Sequence, residues 1–147
     1  MAIAVRTART TWQGGLARGN GEIASTTGAF DPLPVTWASR TERADGKTSP
    51  EELAAAAHSS CFAMALGLRI GEHGFEPDRL NVEASVTLDE VEGVPTIVTS
   101  ALTVRAVVPD MTDEQFDKAL DEAANLCPVS RLFAGAKVTV DGSLDAG

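Results

Sequence analysis

The sequence predicts an α+β protein that forms a single domain over residues 1–147. Three observations support this prediction. Short segments of alternating polar and apolar residues, typical of strands, occur at both ends and in the middle of the chain. A long apolar segment with clear helix-start signals lies between them. Hydrophobic residues make up 44% of the chain and charged residues 22%, so a chain of this length can bury a core.

The N-terminal third is predicted to form a strand meander. Residues 3–13 alternate in the manner of a strand, and residues 22–26 form a second strand after a glycine-rich turn. A proline-containing break precedes a third, short strand at residues 35–37. Residues 40–48 are predicted to be a polar loop.

The longest predicted element is a central helix. Ser49 is its expected N-cap, Pro50 takes the first helical position, and Glu52 completes a capping box. The helix runs to about His73, with Gly74 as the residue after its end. Its middle is apolar or small on nearly all sides, which is typical of a helix enclosed in a core. Because the chain is short for enclosing such a helix alone, we expect an intimate homodimer.

The second half of the chain completes the fold. Two strands, at about 80–89 and 94–107, are followed by a helix that Thr112 caps. A short helix at 128–134 and a last strand at 137–140 end the pattern. This order predicts antiparallel sheets around the long helix.

Charge and hydropathy exclude several classes of partner. The net charge is −9, which disfavours binding to nucleic acid or to anionic lipid. No uncharged apolar run reaches the roughly 18 residues of a membrane helix, and the N-terminal segment alternates instead of forming a signal-peptide core. We therefore expect a cytoplasmic protein that binds neither nucleic acid nor membrane. In that compartment thiols are kept reduced.

The two cysteines, Cys61 and Cys127, allow four interpretations. Each can be a plain core residue, which is the default for a single cysteine. Together they can form a structural disulfide, a metal site or a redox pair. His58 and Cys61 share a helix face, but a zinc site takes four ligands, so a metal site is disfavoured and His58 is better explained as a satisfied core or interface histidine.

The local sequence gives the redox interpretation some chemical support. Cys127 directly precedes Pro128, which can open a helix, so its thiol is predicted at an N-cap, where a thiolate is stabilised. Cys61 is predicted in the middle of a helix and would need a nearby cation to ionise. An arginine suits that role, because its charge is permanent and its donors form a fixed fork. The residues alone leave the core and redox interpretations open.

Several motifs bear a resemblance to one family. They are Thr48-Ser49-Pro50-Glu51-Glu52-Leu53, Ala55-Ala56-Ala57-His58-Ser59-Ser60-Cys61-Phe62 and Cys127-Pro128-Val129-Ser130, with Trp12-x-Gly14, Arg18-Gly19-x-Gly21 and Gly71-Glu72-x-Gly74-Phe75 in agreement. In order and spacing the chain resembles the OsmC/Ohr family of osmotically inducible and organic-hydroperoxide-resistance proteins. The OsmC branch is the most similar.

The resemblance implies a thiol-dependent peroxidase of oxidative and osmotic stress defence. It implies an intertwined homodimer with two sites at the interface and no cofactor or metal. Cys61 would attack the hydroperoxide and become a sulfenic acid, and Cys127 would condense with it to an intramolecular disulfide. A dithiol, of lipoyl type in parts of the family, would reduce that disulfide. Organic hydroperoxides would be preferred to hydrogen peroxide.

The resemblance also implies an arginine and a glutamate that polarise the thiolate and the peroxide. The glutamate corresponds to Glu51, and the arginine to Arg40, with Arg18 as the second choice and Arg43 as the third. An ion pair between Arg40 and Glu51 is expected. Glu51 and Cys61 are ten residues apart on one predicted helix, or about 15 Å along its axis. Glu51 is therefore expected to serve the Cys61 of a partner chain.

Two further expectations concern the substrate and the alternative to catalysis. Apolar side chains could receive an alkyl tail, and the candidates are Phe62, Met64, Phe30, Leu33 and Trp37. The alternative function is a non-enzymatic binding or structural protein of the same fold, in which both cysteines are core residues. Loss of free thiols on treatment with a hydroperoxide would separate the two.

Overall fold

The computed structural model describes residues 1–147 and divides them into two compact units, residues 1–53 and residues 54–147. The first unit contains a three-stranded antiparallel sheet in the order β1-β2-β3 and a short helix α1. Its elements are β1 (Ala8–Gln13), β2 (Asn20–Ser25), β3 (Leu33–Val35) and α1 (Trp37–Thr41). The predicted single domain over residues 1–147 stays a prediction.

The first unit confirms the predicted meander and corrects it in two places. Residues 3–7 form no strand and are exposed, so only the second half of the first predicted strand is paired. The third strand ends at Val35, and a short helix replaces the start of the predicted polar loop. The helix forms because the side chains of Thr36 and Ser39 cap each other's backbone N–H groups, at 3.0 and 2.9 Å.

The central helix α2 covers Pro50–Glu72, as predicted to within one residue. The Ser49 hydroxyl accepts the backbone N–H of Glu52 at 3.1 Å, and Gly74 follows the helix with a φ of +89°. The helix is long and apolar enough to pass the length and composition test for a membrane span, a test that core helices of soluble proteins also pass.

Within one chain only one stripe of α2 is buried. Four residues spaced one turn apart have no exposed surface, namely His58, Phe62, Leu66 and Ile70. The opposite stripe is exposed and consists of Ala56, Ser60, Met64 and Leu68. One chain therefore does not enclose the helix on all sides, in agreement with the expectation that the chain is too short to do so alone.

The second unit contains a sheet in the order β4-β5-β6. Its strands are β4 (Arg79–Val91), β5 (Val94–Val107) and β6 (Lys137–Leu144). The first two form an antiparallel hairpin around Glu92-Gly93, both in the left-handed region with φ of +52° and +79°. β6 is parallel to β5, in contrast to the antiparallel prediction. The parallel pairing arises because two helices connect the strands and return the chain to the same end of the sheet.

The two connecting helices are α3 (Asp113–Leu126) and α4 (Pro128–Leu132). The predicted Thr112 cap is confirmed, because its side chain and that of Gln115 bond reciprocally. Phe116, Ala119 and Ala123 of α3 join the buried stripe of α2 and the inner face of β5 in one hydrophobic core. Cys127, between α3 and α4, belongs to that core.

The core leaves no room for a side chain where α3 meets β6. A Cβ added at Gly142 would lie 2.6 Å from Cδ1 of Leu120 and 3.4 Å from Phe116, whereas a Cβ at Gly135 meets nothing within 4 Å. We expect Gly142→Ala to lower the free energy of unfolding by about 1–3 kcal/mol through overpacking. Gly135→Ala is the matched control and should stay within about 0.5 kcal/mol of wild type. Urea denaturation measures both, and equal stabilities would contradict the prediction.

Candidate active site

The second unit brings the two cysteines together. Cys61 lies in the middle of α2 and Cys127 between α3 and α4, 66 residues later in the sequence. Both are free, Cys61 packs against the core cluster that contains Cys127, and each thiol lies close enough to the other to affect its pKa. Cys61 is partly exposed, whereas Cys127 has no exposed surface. Such proximity is what a redox pair requires, and two unrelated core cysteines would not need it.

Cys127 is the more acidic of the two thiols. Burial raises the pKa of Cys127, but hydrogen bonds from Ser130, Cys61 and Val129 outweigh it, and the pKa falls below its ordinary value of 9.0. The predicted N-cap position is confirmed, because the sulfur of Cys127 accepts the Ser130 N–H at 3.5 Å, with Pro128 at the start of α4. The local sequence thus accounts for most of the causes that lower this pKa, and Cys61 adds one from a distant segment.

Cys61 behaves in the opposite way. Burial raises the pKa of its thiol, the neighbouring Cys127 raises it further, and only a hydrogen bond with the backbone of Val129 lowers it. No cation is among the causes that shift this pKa. The mid-helix position of Cys61 was predicted to need a positive charge, and its own unit does not supply one.

A buried histidine lies beside the thiol pair. Both ring nitrogens of His58 have a hydrogen-bond partner. Nδ1 lies 2.6 Å from the Ser100 hydroxyl of β5, and Nε2 lies 2.7 Å from the Ser130 hydroxyl of α4. Burial lowers the pKa of the ring below 6.5, so the ring is neutral at neutral pH. The structure agrees with the interpretation of His58 as a satisfied core histidine, and no group of three or more metal-ligating side chains occurs in the chain.

The first unit holds the predicted ion pair. The Arg40 guanidinium donates to Glu51 through two nitrogens, with Nη2 to Oε1 at 2.7 Å and Nε to the two oxygens at 2.9 and 3.2 Å. Glu51 is buried and Arg40 is one-third exposed, at 31% of its side chain. The fork leaves one terminal nitrogen of Arg40 free of the carboxylate. A permanent charge is thus held in a fixed orientation at the start of α2.

The other two candidate arginines differ from Arg40. Arg18 is exposed and forms no ion pair. Arg43 reaches Asp45 at 3.7 Å, and both side chains are exposed, at 87% and 63%. An exposed pair of this kind has little energetic weight and no fixed geometry. Arg40 is therefore the only candidate that a buried carboxylate orients.

An apolar cavity of about 210 Å³ adjoins Arg40 within the first unit. Its lining includes the side chains of Trp12, Leu16, Trp37 and Arg40. The cation of Arg40 lies over the Trp37 ring, with 5.9 Å between Cζ and the ring centroid.

The cavity changes the list of candidate tail-binding residues. Trp37 was predicted and does line it, whereas Trp12 and Leu16 were missed because they are distant in sequence from the ion pair. Phe62 was predicted wrongly, since it has no exposed surface and belongs to the core of the second unit.

The fold and the thiol pair together define an α+β protein with two free cysteines close to each other in its second unit. Comparison with protein families shows that the chain belongs to the OsmC family. The model of that family, described as OsmC-like protein, matches residues 43–141. The predicted membership in the OsmC/Ohr family is confirmed.

Individual relatives support the same placement. The chain is 38% identical to peroxiredoxin OsmC of Escherichia coli (strain K12) over 90% of this chain and 92% of that protein. It is 30% identical to organic hydroperoxide resistance protein OhrB of Bacillus subtilis (strain 168) over 90% of this chain and 93% of that protein. The crystal structure of OhrB of Bacillus subtilis superimposes with a TM-score of 0.71 at 29% identity, covering 95% of this chain and 98% of that one. The OsmC branch is the more similar of the two, as predicted.

The buried, neutral His58 predicts an acid-sensitive fold. Burial places its pKa in the folded state below 6.5, so as the pH falls below about 6.5 the unfolded chain takes up the proton first. The contribution of His58 to the free energy of unfolding is complete above about pH 6.5, and it is lost as the pH falls through the lowered pKa of the folded state.

We expect His58→Gln to remove this part of the pH dependence, in urea denaturations between about pH 7 and about pH 5. His73→Gln changes the only other histidine and should leave this part of the decline in place. A decline that is the same in His58→Gln as in wild type would contradict the assignment.

Proposed function

We propose that this protein reduces organic hydroperoxides in oxidative-stress defence, with Cys61 as the attacking sulfur and Cys127 as the resolving sulfur. The observation that carries the proposal is the proximity of two free thiols from distant segments of the chain. Relatives named peroxiredoxin OsmC and organic hydroperoxide resistance protein confirm the predicted class, a thiol-dependent peroxidase.

The chemistry takes three balanced steps. The Cys61 thiolate attacks the terminal peroxide oxygen, so a sulfur–oxygen bond forms, the O–O bond breaks, and the alkoxide takes a proton to leave as an alcohol. The Cys127 thiolate then attacks the Cys61 sulfur of the sulfenic acid, so the sulfur–sulfur bond forms, the sulfur–oxygen bond breaks, and the departing hydroxide takes up a proton as water. A dithiol reductant finally exchanges with the disulfide, becoming a disulfide itself and returning both cysteines to the reduced state. A lipoyl-type dithiol fits this last role.

The difference in exposure supports the assignment of the two sulfurs to their steps. Cys61 is partly exposed and can be reached by a peroxide, whereas Cys127 is fully buried in the hydrophobic core. The resolving thiol needs to be a thiolate only when the sulfenic acid has formed next to it. The low pKa of Cys127 and its enclosure both suit that second step.

Activation of Cys61 requires a second chain in this proposal. The thiol of Cys61 has no cation beside it in its own unit. Arg40 is oriented by Glu51, and Glu51 precedes Cys61 by ten residues along the chain. We assign Arg40 and Glu51 of one protomer to the Cys61 of the other. The guanidinium would stabilise the thiolate and the departing alkoxide.

The exposed stripe of α2 supports this homodimer. Met64 and Leu68 are 74% and 53% exposed, and the small residues Ala56 and Ser60 continue the same stripe. Such a face is costly to leave in water, and small residues let another backbone approach closely. A second copy of α2 is its proposed occupant, which makes residues 1–147 one functional domain that works only as a pair. Cytoplasmic location, with its supply of reduced thiols, completes the proposal.

The cavity beside Arg40 supports the preference for organic substrates. Its indole and aliphatic walls would hold an alkyl or aryl group while the guanidinium holds the peroxide oxygens. Hydrogen peroxide has no group to fill that space. The binding energy of the cavity would therefore act on organic hydroperoxides alone.

Peroxide treatment of the reduced protein tests the thiol chemistry. One equivalent of tert-butyl hydroperoxide should remove both free thiols and leave an intramolecular disulfide. Cys127→Ser should instead stop at a sulfenic acid on Cys61, which a dimedone-type probe traps. Cys61→Ser should lose its remaining thiol, Cys127, much more slowly than the wild type loses its thiols. Retention of both thiols in the wild type would refute the peroxidase and favour a non-enzymatic protein of the same fold.

Arginine variants test the shared site. We expect Arg40→Gln to lower the rate of peroxide reduction by about 10²-fold, through loss of charge stabilisation at the reacting oxygens. Arg43→Gln is the matched control, because its exposed pair with Asp45 is outside the proposed site. An equal loss in both variants would argue against the assignment of Arg40.

Complementation decides whether Arg40 acts across the dimer. A heterodimer of Arg40→Gln and Cys61→Ser protomers, isolated with two affinity tags, has one complete site if the arginine serves the partner's cysteine. It should regain roughly half of the wild-type rate. If Arg40 acts within its own chain, neither site is complete and the heterodimer stays inactive.

Variants of the cavity test substrate preference. Leu16 is exposed at 58% and lines the cavity, so Leu16→Asn should lower kcat/KM for cumene hydroperoxide by roughly tenfold while that for hydrogen peroxide changes little. Val94→Asn, at an equally exposed apolar residue at the start of β5, is the control. A wild type with equal rates for the two peroxides would refute the apolar binding site.

A further inference from the structure

Two glycines lie beneath the indole of Trp12 in the first unit. Trp12 of β1 is the cross-strand partner of Gly21 of β2, and Gly21 is in turn the partner of Val35 of β3. The three residues form one row across the sheet, and the side chains of such a row project from the same face. Gly21 has no side chain, so the indole of Trp12 occupies the space above it.

The distances show how closely the indole approaches the backbone. A Cβ added at Gly21 would lie 2.8 Å from Cε3 and 3.3 Å from Cζ3 of Trp12. A Cβ added at Gly19 would lie 2.9 Å from Nε1, at the other side of the ring system. The same Nε1 donates a hydrogen bond to the Gly14 carbonyl at 3.0 Å. Both edges of the indole therefore lie where only glycine leaves room, and the two glycine motifs of this segment form its binding surface.

Backbone conformation does not account for glycine at position 21. Gly21 is not among the glycines with a positive φ, so an alanine could adopt its backbone conformation. Gly19 differs, because an added Cβ there would also lie 2.5 Å from the backbone carbonyl of Gln13. At Gly21 the three nearest atoms all belong to the side chains of Trp12 and Val35, with Cγ1 of Val35 at 2.9 Å. The requirement at Gly21 is therefore space for these two side chains.

The same two side chains line the apolar cavity beside Arg40. Gly21 is not part of the lining, but a methyl group at Gly21 would displace one of these walls. Val35 is buried, with 8% of its surface exposed, whereas Trp12 is 39% exposed. Trp12 is thus the side chain with room to move, and its displacement would break the hydrogen bond to Gly14. The shape of the cavity depends in this way on the absence of a side chain at Gly21.

We propose that Gly21 is a specificity-determining residue, which acts through Trp12 and keeps the cavity beside Arg40 wide enough for the organic group of a hydroperoxide. The inference rests on the proposed function, in which that cavity receives an alkyl or aryl group. Gly21 contacts no reacting atom, so it is a positioning residue, and the steps at the two sulfurs stay the same. What Gly21 sets is the ratio of the rates for aryl hydroperoxides and for hydrogen peroxide.

A pair of glycine variants tests the specificity. We expect Gly21→Ala to lower kcat/KM for cumene hydroperoxide by about tenfold, while kcat/KM for hydrogen peroxide changes by less than about twofold. Gly15→Ala is the matched control, since Gly15 lies in the connection between β1 and β2 and an added Cβ there meets nothing within 4 Å. An unchanged ratio of the two rates in folded Gly21→Ala would overturn the proposal. An equal loss for both peroxides, as a general disturbance of the fold would cause, would overturn it too.

A Trp12→Ala background shows whether Gly21 acts through the indole. Without the ring, the atom nearest to the added methyl group is gone, so Gly21→Ala should change the ratio little further. Two independent residues would instead multiply their effects. The double variant also serves if Gly21→Ala alone does not fold, because the overlap with the indole is then absent. A further loss of about tenfold in the double variant would overturn the role of Trp12.

Binding without chemistry separates this inference from the proposed function. The chain has two tryptophans, Trp12 and Trp37, and both line the cavity, so intrinsic fluorescence reports on this site. Cumyl alcohol, the product of cumene hydroperoxide, should change the emission of the wild type saturably. Its Kd should rise about tenfold in Gly21→Ala and stay the same in Gly15→Ala.

The binding results have distinct consequences. No saturable change in the wild type, or an equal Kd in folded Gly21→Ala, would overturn the inference even if the protein reduces peroxides. A wild type that binds cumyl alcohol more tightly than Gly21→Ala but consumes no peroxide would refute the peroxidase. In that case the role of Gly21 in shaping the cavity would stand.

Discussion

The burial of a single stripe of α2 is the constraint on which the second unit depends. Phe62, Leu66 and Ile70 enter the core one turn apart, and that packing fixes the rotation of the helix about its axis. His58 follows on the same stripe and therefore faces the interior, while Cys61 lies beside it at the core's edge. A helix turned by one residue would carry both groups out of reach of α4.

The same packing divides the chemistry between the two sulfurs. Cys127 draws its acidity from neighbours within a few residues, which are Ser130 and Val129 at the start of α4. Cys61 sits where helical N–H groups are already bonded, and burial works against its ionisation. In the proposed mechanism, one chain thus supplies a resolving thiol whose pKa is lowered and an attacking thiol that still needs a cation. The proposed second copy would meet that need with its oriented Arg40 and would cover the exposed stripe of α2.

Some features could be predicted from the sequence because their causes are local. The start of α2 at Pro50, the Thr112 capping box and the N-cap position of Cys127 each depend on residues three or four positions apart. The short helix α1 and the parallel pairing of β6 were missed. The first depends on a reciprocal Thr36–Ser39 cap in a segment rich in polar residues, and the second on where two helices return the chain.

The sequence by itself determined the two cysteines and the family motifs around them, because motifs depend only on residue types and their spacing. The Arg40–Glu51 pair was implied by the resemblance to the family, and its geometry is a tertiary contact. Only the tertiary structure decided that Cys61 and Cys127 lie close together, that His58 joins Ser100 to Ser130, and that Trp12 and Leu16 line a cavity with Arg40. These contacts join residues up to 72 positions apart, whose proximity depends on how sheets and helices pack. No local pattern encodes such distances, because they result from the burial of apolar surface by the whole chain.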